Sequence, residues 1–353
     1  MNPFWSQLAR GLSPYVPGEQ PRIANLVKLN TNESPFGPSP LSLEAMRAAA
    51  ADTMRLYPDP EATELREALA AHHCVTPEQV FVGNGSDEVL AHAFVALLKQ
   101  PEPLLFPDVS YSFYPVWAQL FDVRCHVVPL NDGMRIRVED YRRAAGSIVI
   151  ANPNAPTGMA LPRAEIARLL DEHPDIPVLI DEAYVDFGGE SAVPLIADHP
   201  NLLVVQTMSK SRALAGLRVG YALGDAGLIE ALRRVKDSFN SYPLSRIAQD
   251  GATASVRDEA YFRESCARVV AGREAMAREL VRLGFDVLPS SANFVFARHP
   301  ACGGLALAAR LRKRAVLVRH FNKPRTADWL RITVGTDEDT RRLIAAAADI
   351  VGR

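Results

Sequence analysis

The segment NLLVVQTMSKSRALAGLRVGYALG (residues 201–224) contains two apolar runs of strand length, LLVVQT and RVGYALG, joined by a polar turn that contains glycine. Short apolar runs bounded by such turns are typical of strands that are buried on both faces. A further run of this kind, IPVLIDEA (176–183), lies one segment earlier in the chain. These three runs together predict the interior of a sheet.

The same alternation continues toward the N-terminus, where helix-length segments alternate with short apolar runs. The helical segments are 41–54, 62–73 and 86–98, and the apolar runs are 79–83, 103–106, 124–130 and 146–153. Strands and helices in this order are typical of an α/β fold. We therefore predict a large α/β domain over residues 41–240, built on a doubly wound, mostly parallel sheet.

The pattern changes on either side of this domain. After about residue 240 a long helical segment (258–283) precedes three strand-like runs and a terminal helix (337–351), which predicts a smaller C-terminal α+β domain over residues 241–353. Residues 1–40 contain seven prolines. Because proline interrupts helices, this density predicts an extended N-terminal arm, of the kind that lies across another surface.

The composition is that of an ordinary globular protein with a sizeable core. Among 353 residues, 48% are hydrophobic and the formal net charge is −2, with both signs spread along the chain, so a nucleic-acid partner is not expected. No run of about 18 apolar residues predicts a membrane span. The four cysteines form no CxxC pair, which predicts neither a metal site nor a disulfide framework and favours a cytoplasmic location.

Two ionisable residues follow predicted strands directly. Lys210 lies just past the run LLVVQT, and Asp181 lies at the end of VLID. Ligands of doubly wound folds bind where strands end, and a lysine there can form an imine with an aldehyde. A carboxylate there can pair with a protonated ring nitrogen. Each residue alone has a simpler reading: a solvated surface lysine, and a helix cap formed by the aspartate.

Two turns between strands and helices carry further polar groups. In VFVGNGSDEVL (80–90), Gly85 and Ser86 open a helix whose N-terminal amides could bind a phosphate, although a plain capping box explains the same letters. In ANPNAPTG (151–158), Asn152 and Asn154 occupy a turn bounded by prolines. An amide there could bind a ring hydroxyl, and an ordinary Asn-Pro turn is the alternative.

The order GSDE, NPNAPTG, DEAY, SKxxxxxGLRxG resembles that of the class I/II aminotransferases of fold type I, over nearly the whole chain. Within that family the segments LNTNESPFGPSP, RLYPDP and VLVRHFNKPRTADWLRITVGT are similar to those of histidinol-phosphate aminotransferases. The resemblance implies pyridoxal 5'-phosphate as cofactor. Lys210 would carry it as a Schiff base and transfer protons, Asp181 would pair with the pyridine nitrogen, and Tyr184 would bind the phenolic oxygen.

The resemblance also implies roles for residues that bind the ends of the cofactor and substrate. The phosphate would be held by Ser209, Arg218 and the backbone of Gly85, Ser86 and Asp87, with Tyr111 against the ring and Tyr57 reaching in from a partner subunit. Arg331 and Arg319 would bind the anionic group of the substrate, assisted by Tyr15 from the partner's arm. These roles imply a homodimer with shared active sites.

One position departs from the commoner family pattern. Many members have Asn-Pro-Thr-Gly, whereas Ala155 precedes Pro156 here. The contact to the ring hydroxyl must then come from another residue. We assign it to Asn154, with Asn152 as the alternative.

The resemblance predicts amino transfer from L-histidinol phosphate to 2-oxoglutarate, a step of histidine biosynthesis that yields imidazole acetol phosphate and L-glutamate. Three other functions compete with it. Aromatic amino acids could be the donors, since the same arginines can bind a carboxylate. A decarboxylase acting on an amino acid such as threonine phosphate would share the fold, and so would a ligand-sensing module without catalysis.

Overall fold

A computed structural model of the chain describes residues 3–352, and within them seven strands form the larger sheet. Its spatial order is β2-β8-β7-β6-β5-β3-β4. The strands are β2 (Val80–Asn84), β3 (Leu104–Pro107), β4 (Cys125–Val128), β5 (Ser147–Ala151), β6 (Val178–Asp181), β7 (Leu202–Thr207) and β8 (Val219–Gly224). Strands β3 to β7 run parallel, and β8 is antiparallel to both of its neighbours. The predicted α/β fold with a mostly parallel sheet is confirmed.

Helices cover both faces of this sheet. One face packs against α3 (Thr63–His73), α6 (Arg163–Glu172) and α8 (Arg246–Arg257). The other packs against α4 (Gly85–Ala93), α5 (Tyr114–Leu120) and α7 (Ala226–Asp237). Successive residues of a strand point to opposite faces, so Ile148 and Ile150 lie in the first core and Val149 lies in the second.

A second sheet has the order β1-β11-β12-β10-β9 and packs against three helices. Its strands are β1 (Val27–Leu29), β9 (Asp286–Val287), β10 (Phe294–Arg298), β11 (Val316–His320) and β12 (Leu330–Thr333). Its helices are α9 (Glu259–Arg282), α10 (Gly304–Arg312) and α11 (Asp337–Val351). Three strands were expected; the structure adds β9 and β1, and β1 pairs in parallel with β11.

The predicted domain boundaries agree only in part with the packing of the helices and strands. The arm is not extended throughout, because it contains α1 (Gln7–Gly11), and its strand β1 belongs to the second sheet. Helix α8, which follows residue 240, packs on α2 (Pro40–Ala49) and contributes to the core of the first sheet. We propose that the boundary between the domains lies near Asp258, where α8 ends and α9 begins.

The two sheets bring their candidate functional residues to one edge of the larger sheet. The carboxyl ends of β5, β6 and β7 lie at one edge of the larger sheet, as they must in parallel strands, and the N-terminus of α4 opens at the end of β2. Strands β11 and β12 of the second sheet bring Arg319 and Arg331 toward this edge. Among the described residues, no helix has the length and apolar character needed to cross a membrane.

Candidate active site

A cleft lies between the two sheets at this edge. It gathers most of the side chains that the sequence singles out. Its lining includes Tyr15, Asn30, Asn32, Ser86, Asp87, Tyr111, Asp181, Tyr184, Ser209, Lys210, Arg218, Arg319 and Arg331. A concave site with converging polar groups is the usual form of a small-molecule site.

Lys210 is at the centre of the cleft, three residues beyond β7. Its Nζ lies 3.4 Å from the carbonyl oxygen of Thr31 and 5.9 Å from the ring centroid of Tyr184. Burial and, next, the positive charge of Arg331 lower the pKa of Lys210 to about 8, while Asp87 acts in the opposite direction. A far larger fraction of this amine than of an ordinary lysine is therefore unprotonated, and nucleophilic, near neutral pH.

Asp181 ends β6 and is only 5% exposed. Its Oδ2 accepts a hydrogen bond from the hydroxyl of Tyr114 at 3.0 Å, and its Oδ1 accepts one from the backbone N–H of Ala183 at 3.2 Å. Burial raises the pKa of Asp181 to about 6, although both hydrogen bonds favour the ionised form. Sequence reasoning did not identify Tyr114, which lies three residues beyond Tyr111 at the start of α5.

Tyr184, which follows β6 of the larger sheet, is placed by contacts from Asn32, beyond β1, and from Phe294 on β10 of the second sheet. Its hydroxyl accepts a hydrogen bond from Nδ2 of Asn32 at 2.9 Å, and its ring meets Phe294 edge-on at 5.1 Å between centroids. Burial raises its pKa, so the phenol is neutral and can donate its own proton to an acceptor in the cleft. Asn32 belongs to the segment LNTNES, but nothing in the sequence pairs it with a tyrosine 152 residues away.

One end of the cleft has the features of a phosphate site. Gly85 opens α4 with a φ of +80°, a conformation that side chains disfavour. Gly220 lets the strand β8 approach, since a Cβ there would lie 2.2 Å from the amide nitrogen of Ser86. Arg218 donates to Ser209 Oγ at 3.3 Å and pairs with Asp87 at 3.2 Å, and both side chains are partly exposed. Helix N-terminal amides and a guanidinium together favour a dianion.

Two arginines occupy the opposite end. Arg331 donates to the carbonyl oxygen of Asn30 at 2.9 Å, and Arg319 donates to that of Val16 at 3.1 Å. The same chain's Tyr15 lines this end and stacks on Phe113, with 4.3 Å between centroids. The expectation that Tyr15 comes from a partner's arm therefore needs correction, since the arm of this chain already crosses its own cleft.

The structure does not bring three predicted residues to the cleft. Asn154 is buried, and its amide donates to the Val109 carbonyl and the Thr157 hydroxyl, so neither of its N–H groups is free for a ring hydroxyl. Asn152 exchanges hydrogen bonds with the backbone of Leu161. Ala155, rather than either asparagine, lines the cleft.

Tyr57 is the third of these residues. It is 79% exposed and stacks on Tyr242 at 4.7 Å between centroids, outside the lining of its own chain's cleft. An exposed pair of aromatic rings is unusual on a free surface. The position of Tyr57 fits a residue that contacts another molecule.

Comparison with known proteins identifies the family. The family described as aminotransferase class I and II matches residues 24–346. The chain belongs to this family. The family and the fold type expected from the sequence are thereby confirmed.

Similar aminotransferases over the full chain are named histidinol-phosphate aminotransferases. The protein numbered 2 from Rhizobium meliloti is 61% identical, with 99% of this chain and 100% of that protein covered. The protein numbered 1 from Bradyrhizobium diazoefficiens is 63% identical, with the same coverage.

Solved structures agree with the fold. Histidinol-phosphate aminotransferase from Sinorhizobium meliloti, in complex with pyridoxal-5'-phosphate, has a TM-score of 0.89 at 27% identity, covering 100% of this chain and 98% of that one. Aspartate aminotransferase from Thermus thermophilus with maleate has a TM-score of 0.80 at 26% identity, covering 92% and 91%.

Proposed function

We propose that this aminotransferase uses pyridoxal 5'-phosphate, and the observation that carries the proposal is that three groups converge on one cleft. An amine of lowered pKa at Lys210, the buried carboxylate of Asp181 and the N-terminus of α4 all line it. These groups fit an aldehyde, a ring nitrogen and a phosphate, in that order. When bound, the cofactor supplies an electron sink for the electron pair that is left when a bond to the substrate carbon breaks.

The chain's own residues would divide the remaining tasks. The Nζ of Lys210 would bind the aldehyde carbon and carry the proton that leaves the substrate carbon. The Asp181 carboxylate would hold a proton on the ring nitrogen, and the Tyr184 hydroxyl would donate to the ring oxygen. Tyr111 would lie against the ring, while the backbone N–H groups of Gly85, Ser86 and Asp87, together with the side chains of Ser209 and Arg218, would hold the phosphate. We no longer propose Asn154 for the ring oxygen.

The reaction is amino transfer from L-histidinol phosphate to 2-oxoglutarate, which yields imidazole acetol phosphate and L-glutamate and belongs to histidine biosynthesis. Full-length relatives of about 60% identity carry that name, and this supports the choice of donor. Arg319, Arg331 and Tyr15 would bind the anionic ends of both substrates. Guanidinium groups bind phosphate and carboxylate alike, so aromatic amino acids are the donors against which specificity is tested.

The test is the half-reaction of the loaded enzyme, followed by absorbance. L-histidinol phosphate should convert the cofactor spectrum rapidly without an oxo acid, and kcat/KM should exceed that for phenylalanine and tyrosine by at least about a hundredfold. The Lys210→Ala protein should lose the band of the attached cofactor and nearly all turnover. A rapid spectral change with aromatic amino acids but not with histidinol phosphate would show that aromatic amino acids are the donors. Normal turnover by Lys210→Ala would refute the mechanism.

We also propose a homodimer in which Tyr57 reaches the cofactor phosphate of the partner subunit. The high exposure of Tyr57 and of neighbouring apolar side chains supports this arrangement. A cytoplasmic location is proposed as well, supported by four cysteines that are unpaired in the described structure.

A further inference from the structure

Tyr114 is a fully buried tyrosine whose ring is fixed by other aromatic rings. It has 0% exposure and packs against Phe94, Phe106 and Tyr111, with centroid distances between 5.6 and 6.3 Å. A ring held on several sides cannot swing its hydroxyl elsewhere. The single hydrogen bond of that hydroxyl goes to Oδ2 of Asp181.

Few other interactions stabilise the ionised form of Asp181. Among residues 3–352 no lysine, arginine or histidine forms an ion pair with it, and its other hydrogen bond comes from the backbone of Ala183. A buried carboxylate without a cation is costly, so each donor that it has carries weight. Each oxygen still has a lone pair that neither donor occupies, and Asp181 lines the cleft.

We propose that Tyr114 is a positioning residue of the aminotransferase reaction: its hydroxyl holds the Asp181 carboxylate in place and in its ionised form, ready for the ring nitrogen of the cofactor. The inference rests on the proposed function, because it assigns Asp181 to that nitrogen. Tyr114 acts through Asp181 and touches neither substrate nor cofactor in this proposal.

Other titratable groups surround Asp181, and the effect of their titration must be distinguished from that of Asp181. Asp87, Tyr111 and Lys210 line the same cleft, Tyr184 follows in the chain, and the buried Glu182 is adjacent. The tyrosines keep their protons across the range from pH 5.5 to 8, since burial raises their pKa. Asp87 adds a negative charge that opposes ionisation of Asp181, and Lys210 and Glu182 are present in every variant compared below.

The experiment measures the dissociation constant of pyridoxal 5'-phosphate as a function of pH for wild type and Tyr114→Phe. The ring nitrogen of free cofactor is protonated in this range, so binding requires the carboxylate and should weaken as pH falls through about 6. Losing the hydroxyl should move this midpoint upward by about one unit or more, since hydrogen bonds to charged groups are the strong ones. Affinity should fall about tenfold at pH 5.5 and approach wild type near pH 8.

Tyr141→Phe is the matched control. Tyr141 is also fully buried, but its hydroxyl has no hydrogen-bond partner within residues 3–352, so its removal should leave the midpoint unchanged. A merely structural role of Tyr114 would weaken binding equally at every pH. Tyr114→3-fluorotyrosine, whose hydroxyl is a stronger donor of the same size, should move the midpoint downward and keeps the test valid if the phenylalanine variant folds poorly.

Asp181→Asn separates the two levels of the proposal. If it loses turnover and the pH midpoint while Tyr114→Phe keeps the wild-type midpoint, the role of Tyr114 is overturned and the proposed function stands. If Asp181→Asn keeps wild-type turnover, the assignment of Asp181 in the proposed function fails. A raised midpoint in Tyr114→Phe together with an inactive Asp181→Asn supports both.

Discussion

Lys210 shows how surroundings alone make one of many lysines reactive. Its pKa is lowered mainly by burial and next by the Arg331 guanidinium. Arg319 lies at the same end of the cleft as Arg331 but is not among the main causes of the shift. The two arginines therefore form a natural pair for comparison.

We predict that Arg331→Met raises the pKa of Lys210, whereas Arg319→Met leaves it near 8. Only the unprotonated amine reacts with an aldehyde, so the rate of cofactor attachment should rise through about pH 8 in wild type and at higher pH in Arg331→Met. Borohydride trapping after short reaction times gives the pH profile. Equal midpoints in the three proteins would show that the arginine charge does not reach the amine.

At this scale the sequence predicts the residues that follow strands and misses those that support them. Lys210 and Asp181 are recognisable because a strand ends beside each, and Arg218 is recognisable by its place in the motif SKxxxxxGLRxG just before β8. Tyr114 and Asn32 act through hydrogen bonds to residues 67 and 152 positions away, and no local pattern encodes such contacts. The assignment of Asn154 was wrong because the sequence does not show that its amide already donates to the Val109 carbonyl and the Thr157 hydroxyl.

Among the elements, β8 packs closely against the N-terminus of α4. The missing side chain of Gly220 makes it possible, since a Cβ there would lie 2.4 Å from the carbonyl carbon of Gly85 as well as 2.2 Å from Ser86. Gly216 lies in the connection just before β8, with nothing within 4 Å of its Cβ position.

We predict that Gly220→Ala displaces the start of α4 and weakens cofactor binding at least about tenfold, whereas Gly216→Ala has little effect. The loss should concern the phosphate. Affinity for pyridoxal 5'-phosphate should therefore fall more than affinity for pyridoxal, both measured by equilibrium dialysis. Equal losses for the two compounds would indicate general unfolding rather than a damaged phosphate site.

Glu182 ties the end of β6 to its neighbours. It is buried and accepts hydrogen bonds from Ala192 N–H at 2.6 Å, Ser191 Oγ at 2.7 Å and Gln206 Nε2 at 2.8 Å. Burial nevertheless raises its pKa to about 7, against an ordinary value of 4.5. The folded state therefore favours the protonated form more than the unfolded state does.

It follows that Glu182 stabilises the fold fully below pH 4.5 and loses this contribution as pH rises through about 7. Glu182→Gln cannot ionise. We predict that the difference in free energy of unfolding between wild type and this variant changes by about 3 kcal/mol from pH 4.5 to pH 7.5. Urea unfolding measures it, with exposed Glu44→Gln as the control. A difference independent of pH would show that Glu182 titrates normally.

The elements themselves follow from the sequence where burial repeats regularly. Strands β5, β6 and β7 are runs of buried residues, and the alternation of strands and helices predicts their parallel order. The antiparallel direction of β8 was not predicted, because a buried strand has the same composition in either direction. Strand β1 was missed because three residues in a proline-rich arm give no period, and only pairing with β11 makes them a strand.

On the scale of the whole molecule, exposed apolar side chains support the proposed dimer. Leu56, Tyr57, Phe239 and Tyr242 are all exposed, Phe239 by 81%, and the rings of Tyr57 and Tyr242 are stacked. Exposed apolar side chains of this size mark an interface in many proteins. A symmetric dimer would cover them on both copies at once.

The dimer with shared sites makes a prediction that a monomer cannot satisfy. Lys210→Ala removes the amine from a chain's own cleft, and Tyr57→Ala removes a ring that, in our proposal, serves the partner's cleft. In a hybrid dimer of the two variants, the cleft with an intact Lys210 receives its Tyr57 from the Lys210→Ala chain, so one site is complete. Each variant alone has no complete site.

We therefore predict that mixing the two nearly inactive variants at equal amounts, with exchange of subunits, restores about a quarter of the wild-type activity, because half of the dimers are hybrids with one good site. Activity of each mixture is compared with that of the unmixed variants, and differently tagged chains allow the hybrid to be purified. If Tyr57 served its own chain's cleft, every site would carry at least one defect and no activity would return. Recovery thus depends on the direction in which Tyr57 reaches, and its absence would contradict the shared site even if the protein is a dimer.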